Sequence, residues 1–487
     1  MKLSLWTLGV LLSFLALGCT PQEEVSEEAS GPPRHVFLIT VDTLRADRMS
    51  AYGHVRETSP VLDDLAAQGV LFERAIAQWP KTGPSFASIF TGRYPHTTGL
   101  THKAALRLPD AYLTLAEFFS HMGYRTAAVV SNGVLAKRLG WDQGFDEYHQ
   151  TWSLAPEQSD VPEVYRRWIN APKVNELALP LLERHRETEK LFVWIHYSDP
   201  HTPYLLPDGT SNPFLGDAHY TDESEVTLEN PRAMALGDER ELRFYEASYD
   251  ANVSVADQHI GLLLGKAEDL GMLEDSLLVF TSDHGESLGE HGYYFGHGRL
   301  PHNPGSHVPL IFQRFGEAQG SRVDRVVELV DLYPTLRDLV DPDQEVPGLE
   351  GQSLMADLEA TSVAEETSDG NLLAFSSAGG GSPLTHYRSV QDEDYKLVYH
   401  PARKTRRGEL PERYEFYYLR EDPEELNDLL ADGATPENPE AVSALRRLRR
   451  ELVGWMDGRT WIRPPKGQIE AESEETLKTL RALGYIQ

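Results

Sequence analysis

Five runs of mostly apolar, often β-branched residues restrict the folds open to this chain more than any other feature. They are HVFLITVD (35–42), RTAAVVS (125–131), LFVWIH (191–196), SLLVFTS (276–282) and VPLIF (308–312). A strand that is apolar at successive positions has no face to offer to water, so it is buried between two layers, as in a parallel sheet. The gaps between the runs leave room for crossover helices. Helical spacing of apolar residues at 60–69, 114–122 and 246–270 supplies candidates. The pattern predicts a layered α/β core. Such folds bind ligands beyond the carboxyl ends of their strands. Asp42 and Asp283 each close a run, which makes them the first candidate site residues.

The pattern changes beyond about residue 351. HYRSVQDEDYKLVYH (386–400) and RYEFYYL (413–419) read as strands of a smaller antiparallel sheet, and 440–455 reads as a charged amphipathic helix. The expected layout is a catalytic core over 34–350 and a C-terminal α+β subdomain over 351–487. The polar stretch 203–241 is long for a plain connection, which suits either a specificity loop over a site or a solvated insertion. No repeat of fixed period occurs, which argues against a solenoid or propeller.

At the N-terminus, Lys2 precedes an apolar stretch (3–17) too short to span a bilayer comfortably, which reads as a signal peptide. It ends in LALGC (15–19), which resembles the bacterial lipobox. That resemblance implies that Cys19 is acylated and anchors the mature chain to a membrane. An ordinary cleaved signal with an incidental cysteine is the alternative. Residues 20–33 (TPQEEVSEEASGPP) are acidic and Pro-rich, without the apolar periodicity a core needs, and read as a disordered tether. The expected location is the periplasm or the cell surface. Cys19 is the single cysteine, which rules out an intrachain disulfide and a zinc site of four thiolates. The 45 Lys and Arg against 76 Asp and Glu give a net charge of -31, which opposes nucleic acid binding. A small anion is not opposed, because a metal or a few cations can reverse the field inside a pocket.

Several segments, taken in order, resemble the sulfatase family of the alkaline phosphatase superfamily, from His35 to the end. They are VDTLRADRMSAYG (41–53), TGPSFASIFTGRYPHTTGL (82–100), HYSDPHTPY (196–204), TSDHGESLGEHG (281–292), HVPLIF (307–312), VDLYPTL (330–336), DPEELNDL (422–429) and LRALGY (480–485). The resemblance implies an alkaline phosphatase-like α/β/α core with a mostly parallel sheet and a smaller C-terminal α+β subdomain with an antiparallel sheet. It also implies an ester hydrolase that needs a divalent metal ion.

The family's nucleophile motif is Cys or Ser, any residue, Pro, Ser, Arg, and this chain has Thr82-Gly83-Pro84-Ser85-Phe86. Read locally, Pro84 suits the first turn of a helix, so Thr82 sits either as a plain cap or as a group facing an anion at the helix start. The resemblance implies the second, with Thr82 as nucleophile. In true sulfatases the Cys or Ser becomes formylglycine. Thr82 cannot, because its β-carbon carries a methyl group and oxidation would give a ketone. A threonine would form a covalent ester that needs a second attack, as in the superfamily's threonine-dependent phosphodiesterases.

The resemblance further implies that Asp42, Thr82, Asp283 and His284 hold one divalent ion (Ca, Mg, Mn or Zn), with three oxygens and an imidazole that suit Mg, Mn or Zn well. The family's second early Asp is Thr43 here and its motif Arg is Phe86. His201 matches the histidine that touches the transferred group, and His297 lies near the position of a leaving-group lysine. The alternative is a second metal on Asp199, His201 and His297. The Lys-x-His of many sulfatases is Ser131-Asn132-Gly133, with Asn132 either a ligand donor or a turn cap. Lys81 and Lys103 are candidate cationic contacts, whereas His291, His302 and His307 read as packing residues.

The resulting expectation is a metal-dependent hydrolase of a sulfate or phosphate ester, with a phosphodiester or phosphomonoester favoured chemically because no formylglycine forms. The substrate is a small-molecule, glycan or lipid ester. The rival readings are a phosphoryl-group transferase and an inactive sulfatase-fold lipoprotein that binds sulfated glycans.

Overall fold

The computed structural model describes residues 31–101, 107–154, 170–207, 209–220, 241–316, 320–359, 372–379, 385–405 and 408–458. The readings placed on the signal segment, Cys19, the tether up to residue 30 and Lys103 lie outside these residues.

Strands β1 (His35–Val41), β2 (Val70–Ile76), β3 (Arg125–Val130), β4 (Glu147–Gln150), β5 (Leu191–Tyr197) and β6 (Leu277–Ser282) come first. A small ribbon of β7 (Ser287–Leu288) and β8 (Tyr294–Gly296) follows, then β9 (His307–Arg314) and β10 (Ser321–Glu328). Apart from the ribbon, these form one eight-stranded sheet in the order β10-β2-β9-β6-β1-β5-β3-β4. Only β9 runs against its neighbours. β1 lies at the centre, parallel to both β5 and β6.

Alternation along β1 explains the three layers. Val36 and Leu38 point into one apolar cluster, with Phe86, Phe90, Phe118 and Leu336, and Phe37, Ile39 and Val41 into another, with Leu62, Leu181, Tyr245 and Ile260. Helices Thr82–Thr91, Leu115–His121 and Leu332–Val340 therefore cover one face. Helices Pro60–Gln68, Ala171–His185 and Leu242–Asp269 cover the other. The local start signals are as expected: Thr114 and Glu117 form a reciprocal capping box, and Pro60 opens its helix.

The C-terminal part is antiparallel, with strand order β11 (Ala374–Ala378), β12 (Tyr387–Gln391), β13 (Tyr395–His400) and β16 (Arg413–Tyr418). A short hairpin of β14 (Arg403–Thr405) and β15 (Gly408–Leu410) separates the last two. Helix Pro439–Asp457 lays Ala441, Ala444, Leu448, Leu452 and Trp455 on this sheet, in one cluster with Tyr94 and Val330 of the larger layer system. The part of stretch 203–241 that is described has no strand or helix before 241, and Tyr220 ties it down through a hydrogen bond from its hydroxyl to Asp250 Oδ2 (2.6 Å).

Candidate active site

The sheet's central register creates the site. Val41 pairs with Ser282 across the parallel β1 and β6, so the next residues, Asp42 and Asp283, leave their strands side by side. Both are fully buried. Thr43, directly after Asp42, has φ +60°, costly for a β-branched residue and a mark of a backbone held for function. Tyr249 holds it: the phenol donates to the Thr43 carbonyl at 2.7 Å and accepts from the Arg45 amide at 3.1 Å. Gly285 is required for a different reason. A Cβ there would collide with the Pro304 carbonyl.

Each ligand candidate spends one polar atom on the protein and turns another inward. Asp42 Oδ2 accepts from Asn132 Nδ2 at 2.6 Å and lies 3.6 Å from His196 Nε2. Asp283 Oδ1 accepts from the amides of Thr43 (3.3 Å) and His284 (3.0 Å). His284 Nδ1 donates to the Gly285 carbonyl at 2.8 Å, which leaves the lone pair on Nε2. Nε2 lies 3.3 Å from Asp283 Oδ2, 3.8 Å from Asp42 Oδ1 and 3.3 Å from Thr82 Oγ1. Among the described residues, Asp42 Oδ1 and Asp283 Oδ2 have no hydrogen-bond partner.

Thr82 is the first residue of its helix, and Lys81, in extended conformation, occupies the cap position without a side-chain capping bond to the helix. The threonine hydroxyl is therefore not spent as a cap. It faces His284, while Ser85 Oγ, one turn on, donates to the Asp283 carbonyl at 2.6 Å and docks the helix start against the end of β6. Phe86, in the place of the family's Arg, turns into the core against Trp194 and His196 with ring centroids 5.0 and 5.1 Å away.

The electrostatics fit a cation. Burial and the Asp42 charge push Asp283 well above the carboxylate range. Burial also opposes the charge on Asp42, but His196, His201 and His284 outweigh it and hold this carboxyl well below its ordinary value. Burial, with His297 beside it, lowers His284 to about 3, so the ring is neutral. Two inward carboxylate oxygens and one imidazole lone pair within 4.8 Å of one another repel unless a cation sits between them. Asp42, Asp283 and His284 therefore fit a divalent ion, and no second such group occurs among the described residues.

His201 and His297 stand beside this cluster, their rings 5.1 Å apart and His297 4.5 Å from His284. His201 Nδ1 donates to the Thr202 carbonyl at 2.6 Å, and His297 Nδ1 to Glu286 Oε1 at 3.1 Å. Among the described residues, the structure does not group Asp199 with His201 and His297 as candidate metal ligands. Asp199 Oδ2 accepts from the Ala171 amide at 2.6 Å, at the start of helix Ala171–His185, and burial pushes its carboxyl up to about 7. Asn132 caps the turn, its side-chain oxygen accepting from Val134 N at 3.0 Å, and its amide nitrogen donates to Asp42. The Lys81 side chain packs beside Gly298. His291 stacks on His302, which meets Glu415 at 2.9 Å, and His307 donates to the Glu73 carbonyl at 2.8 Å, as expected for packing residues.

Sequence reasoning missed His196, Tyr249 and Glu286. The signal for His196 was present, a histidine near the carboxyl end of a wholly apolar run beside β1. Tyr249 lies inside a long helix and gave none.

A family model described as Sulfatase matches residues 34–342. The chain belongs to the sulfatase family. As a member it is an ester hydrolase. It is 27% identical over 407 residues to the ulvan-active sulfatase of Formosa agariphila, an alignment covering 80% of this chain and 77% of that one. Two solved structures show how far the fold is shared. A 2-O GAG sulfatase superposes with a TM-score of 0.67 at 21% identity, over 88% of this chain and 92% of that chain. The phosphonate monoester hydrolase of Agrobacterium radiobacter superposes with a TM-score of 0.63 at 21% identity, over 88% and 96%. Both a sulfatase and a phosphonate ester hydrolase thus share the architecture of this sulfatase-family chain.

Proposed function

We propose that this sulfatase-family enzyme cleaves a phosphate ester, with a diester preferred, through Thr82 as nucleophile. The observation that carries the reading is the Thr82 hydroxyl, which does not cap its helix but lies 3.3 Å from His284 Nε2, beside the inward oxygens of Asp42 and Asp283. A divalent cation held by Asp42, Asp283 and His284, with Thr82 beside it, would supply positive charge against which negative charge builds on the attacking oxygen and the transferred group.

Thr82 Oγ1 forms the new bond to phosphorus, its proton passing to solvent, as the bond from phosphorus to the leaving oxygen breaks. His201 or His297 gives the leaving oxygen a proton from Nε2, since Nδ1 in each is engaged with an acceptor. Water then attacks phosphorus, the Oγ1–phosphorus bond breaks and the threonine hydroxyl is restored. Asn132 and His196 orient Asp42 throughout. The lack of a formylglycine hydrate favours phosphorus over sulfur, because a threonine ester has no second hydroxyl on its β-carbon and cannot expel its cargo by collapsing to an aldehyde.

A sulfate ester is the second reading, favoured by the name of the ulvan-active sulfatase among the relatives. Nitrophenyl phosphodiester, phosphomonoester and sulfate, assayed with divalent ions restored after chelation, decide between them. Thr82→Ala should lower turnover on the order of 10⁴-fold or more; full activity in that variant would reject the nucleophile. Transfer of the phosphoryl group to an added alcohol in preference to water would reassign the enzyme as a transferase. We further read Cys19 as a lipid anchor that holds the enzyme at a membrane in the periplasm or at the surface, supported by the LALGC segment. Incorporation of labelled palmitate, lost in Cys19→Ala, is the expected result.

A further inference from the structure

We infer that Glu286 is the positioning residue that holds His201 and His297 together as one leaving-side array. The inference rests on the reading above, in which a histidine protonates the leaving oxygen. Glu286 is fully buried, two residues past His284 in the loop after β6. Its Oε1 accepts from His297 Nδ1 at 3.1 Å. Its Oε2 accepts from the Thr202 amide at 3.2 Å and from the Tyr204 hydroxyl at 2.8 Å. Thr202 is the residue whose carbonyl receives His201 Nδ1 at 2.6 Å. One carboxylate therefore grips the first histidine by its ring and the second through the backbone that fixes its ring.

The chemistry follows from what a carboxylate lacks. With no hydrogen to give, Glu286 requires the hydrogen of His297 to sit on Nδ1, so Nε2 is the atom through which this ring exchanges a proton. A neutral side chain at 286 would let the ring turn or change tautomer. Glu286 is itself held from behind. Arg45 Nη1 donates to its carbonyl at 3.3 Å, and Asp47 and Glu290 pin that guanidinium at 2.7 and 2.6 Å. The Tyr204 ring is wedged between Tyr249 and Phe295, with centroids 5.8 and 6.0 Å away. When the ring carries a second proton, on Nε2, that proton passes to the leaving oxygen as the bond from phosphorus or sulfur to that oxygen breaks, the Nδ1 hydrogen stays in its bond to Glu286, and the attacking water returns a proton to Nε2 in the second step.

A buried glutamate with three donors could also be mere packing, so the test reads the leaving group. Aryl esters with a nitrophenolate leaving group need little protonation, whereas phenyl or alkyl esters need much. Glu286→Gln should lower kcat by a few-fold on the nitrophenyl ester and by about 100-fold on the phenyl ester, within the usual range for a general acid. In a His297→Ala background the same change should cost clearly less than it does alone, because part of its effect passes through that ring and only the hold on His201 is left to lose. Tyr204→Phe, which removes only one donor to the carboxylate, should show the same leaving-group pattern at smaller size. Equal losses on both esters in Glu286→Gln and Tyr204→Phe, or fully multiplicative losses in the double variant, would overturn the inference. A uniform loss in His297→Ala would overturn it too, while inactivity of Thr82→Ala would show the nucleophile reading still standing. Full activity of Thr82→Ala would remove that reading alone, since the leaving-group pattern of Glu286→Gln reports on His297 directly.

Discussion

Two of the places where this protein buries charge follow opposite rules. In the C-terminal sheet, Lys396 and Glu425 are both fully enclosed and meet at 2.7 Å, with Asn303 bonded to each. At the ends of β1 and β6, Asp42 and Asp283 are just as enclosed, yet their two inward oxygens face a neutral imidazole and, among the described residues, have no hydrogen-bond partner. The first region supplies its own countercharge and is structural. The second crowds two acids together at a cost that a bound cation, or a proton taken up by Asp283, removes, which is how a site differs from a buried ion pair.

That contrast breaks most visibly in the structural pair. Lys396→Met leaves Glu425 buried without its partner and should destabilise the fold by about 3–5 kcal/mol, read from the urea midpoint. Removing a carboxylate from the other region should act in the opposite direction. In the presence of a chelator, Asp283→Asn relieves the repulsion with Asp42 and should stabilise the protein by about 1–2 kcal/mol. A destabilisation as large as that of Lys396→Met would mean that the two regions obey the same rule.

A third buried group, at the junction of the two sheets, makes stability depend on pH. Glu328 accepts from Tyr94, Gln78 and the Phe375 amide, and burial, with Asp331 beside it, pushes its carboxyl up to about 8. Its folded value lies above its unfolded one, so the native state holds the extra proton, and stability falls as pH rises from the usual carboxylate range to about 8. Glu328→Gln should remove that slope, at most about 1.4 kcal/mol per pH unit, in denaturation midpoints taken between pH 5 and 9.

How much of this was legible in the sequence depended on where each strand lies. β1, β3, β5, β6 and β9 are apolar almost throughout and announced themselves. β10 and β4 are edge strands, and β10 alternates half-buried and exposed residues along its first half. β2 carries Glu73 and Arg74 where its pairing with β9 shifts register, and Glu73 pairs instead with Arg322 of β10. Charges in the middle hid it. Helix Ala171–His185 was missed because Pro180 interrupts its interior. At the site, Asp42, Asp283, His284 and Thr82 stood out because strand ends and motif spacing are local signals. Glu286 and Tyr249 act through partners far away in sequence, which no local pattern records: Glu286 reaches Thr202 across 84 residues and Tyr204 across 82, and Tyr249 reaches Thr43 across 206.

The central claim is that Asp42, Asp283 and His284 bind a divalent cation against Thr82. Calorimetric titration of the chelator-stripped protein with manganese or zinc tests it without any substrate. One saturable site in the parent protein, lost in both Asp42→Asn and Asp283→Asn, is the predicted result. No saturable binding in the parent, or equal affinity in all three proteins, would contradict it.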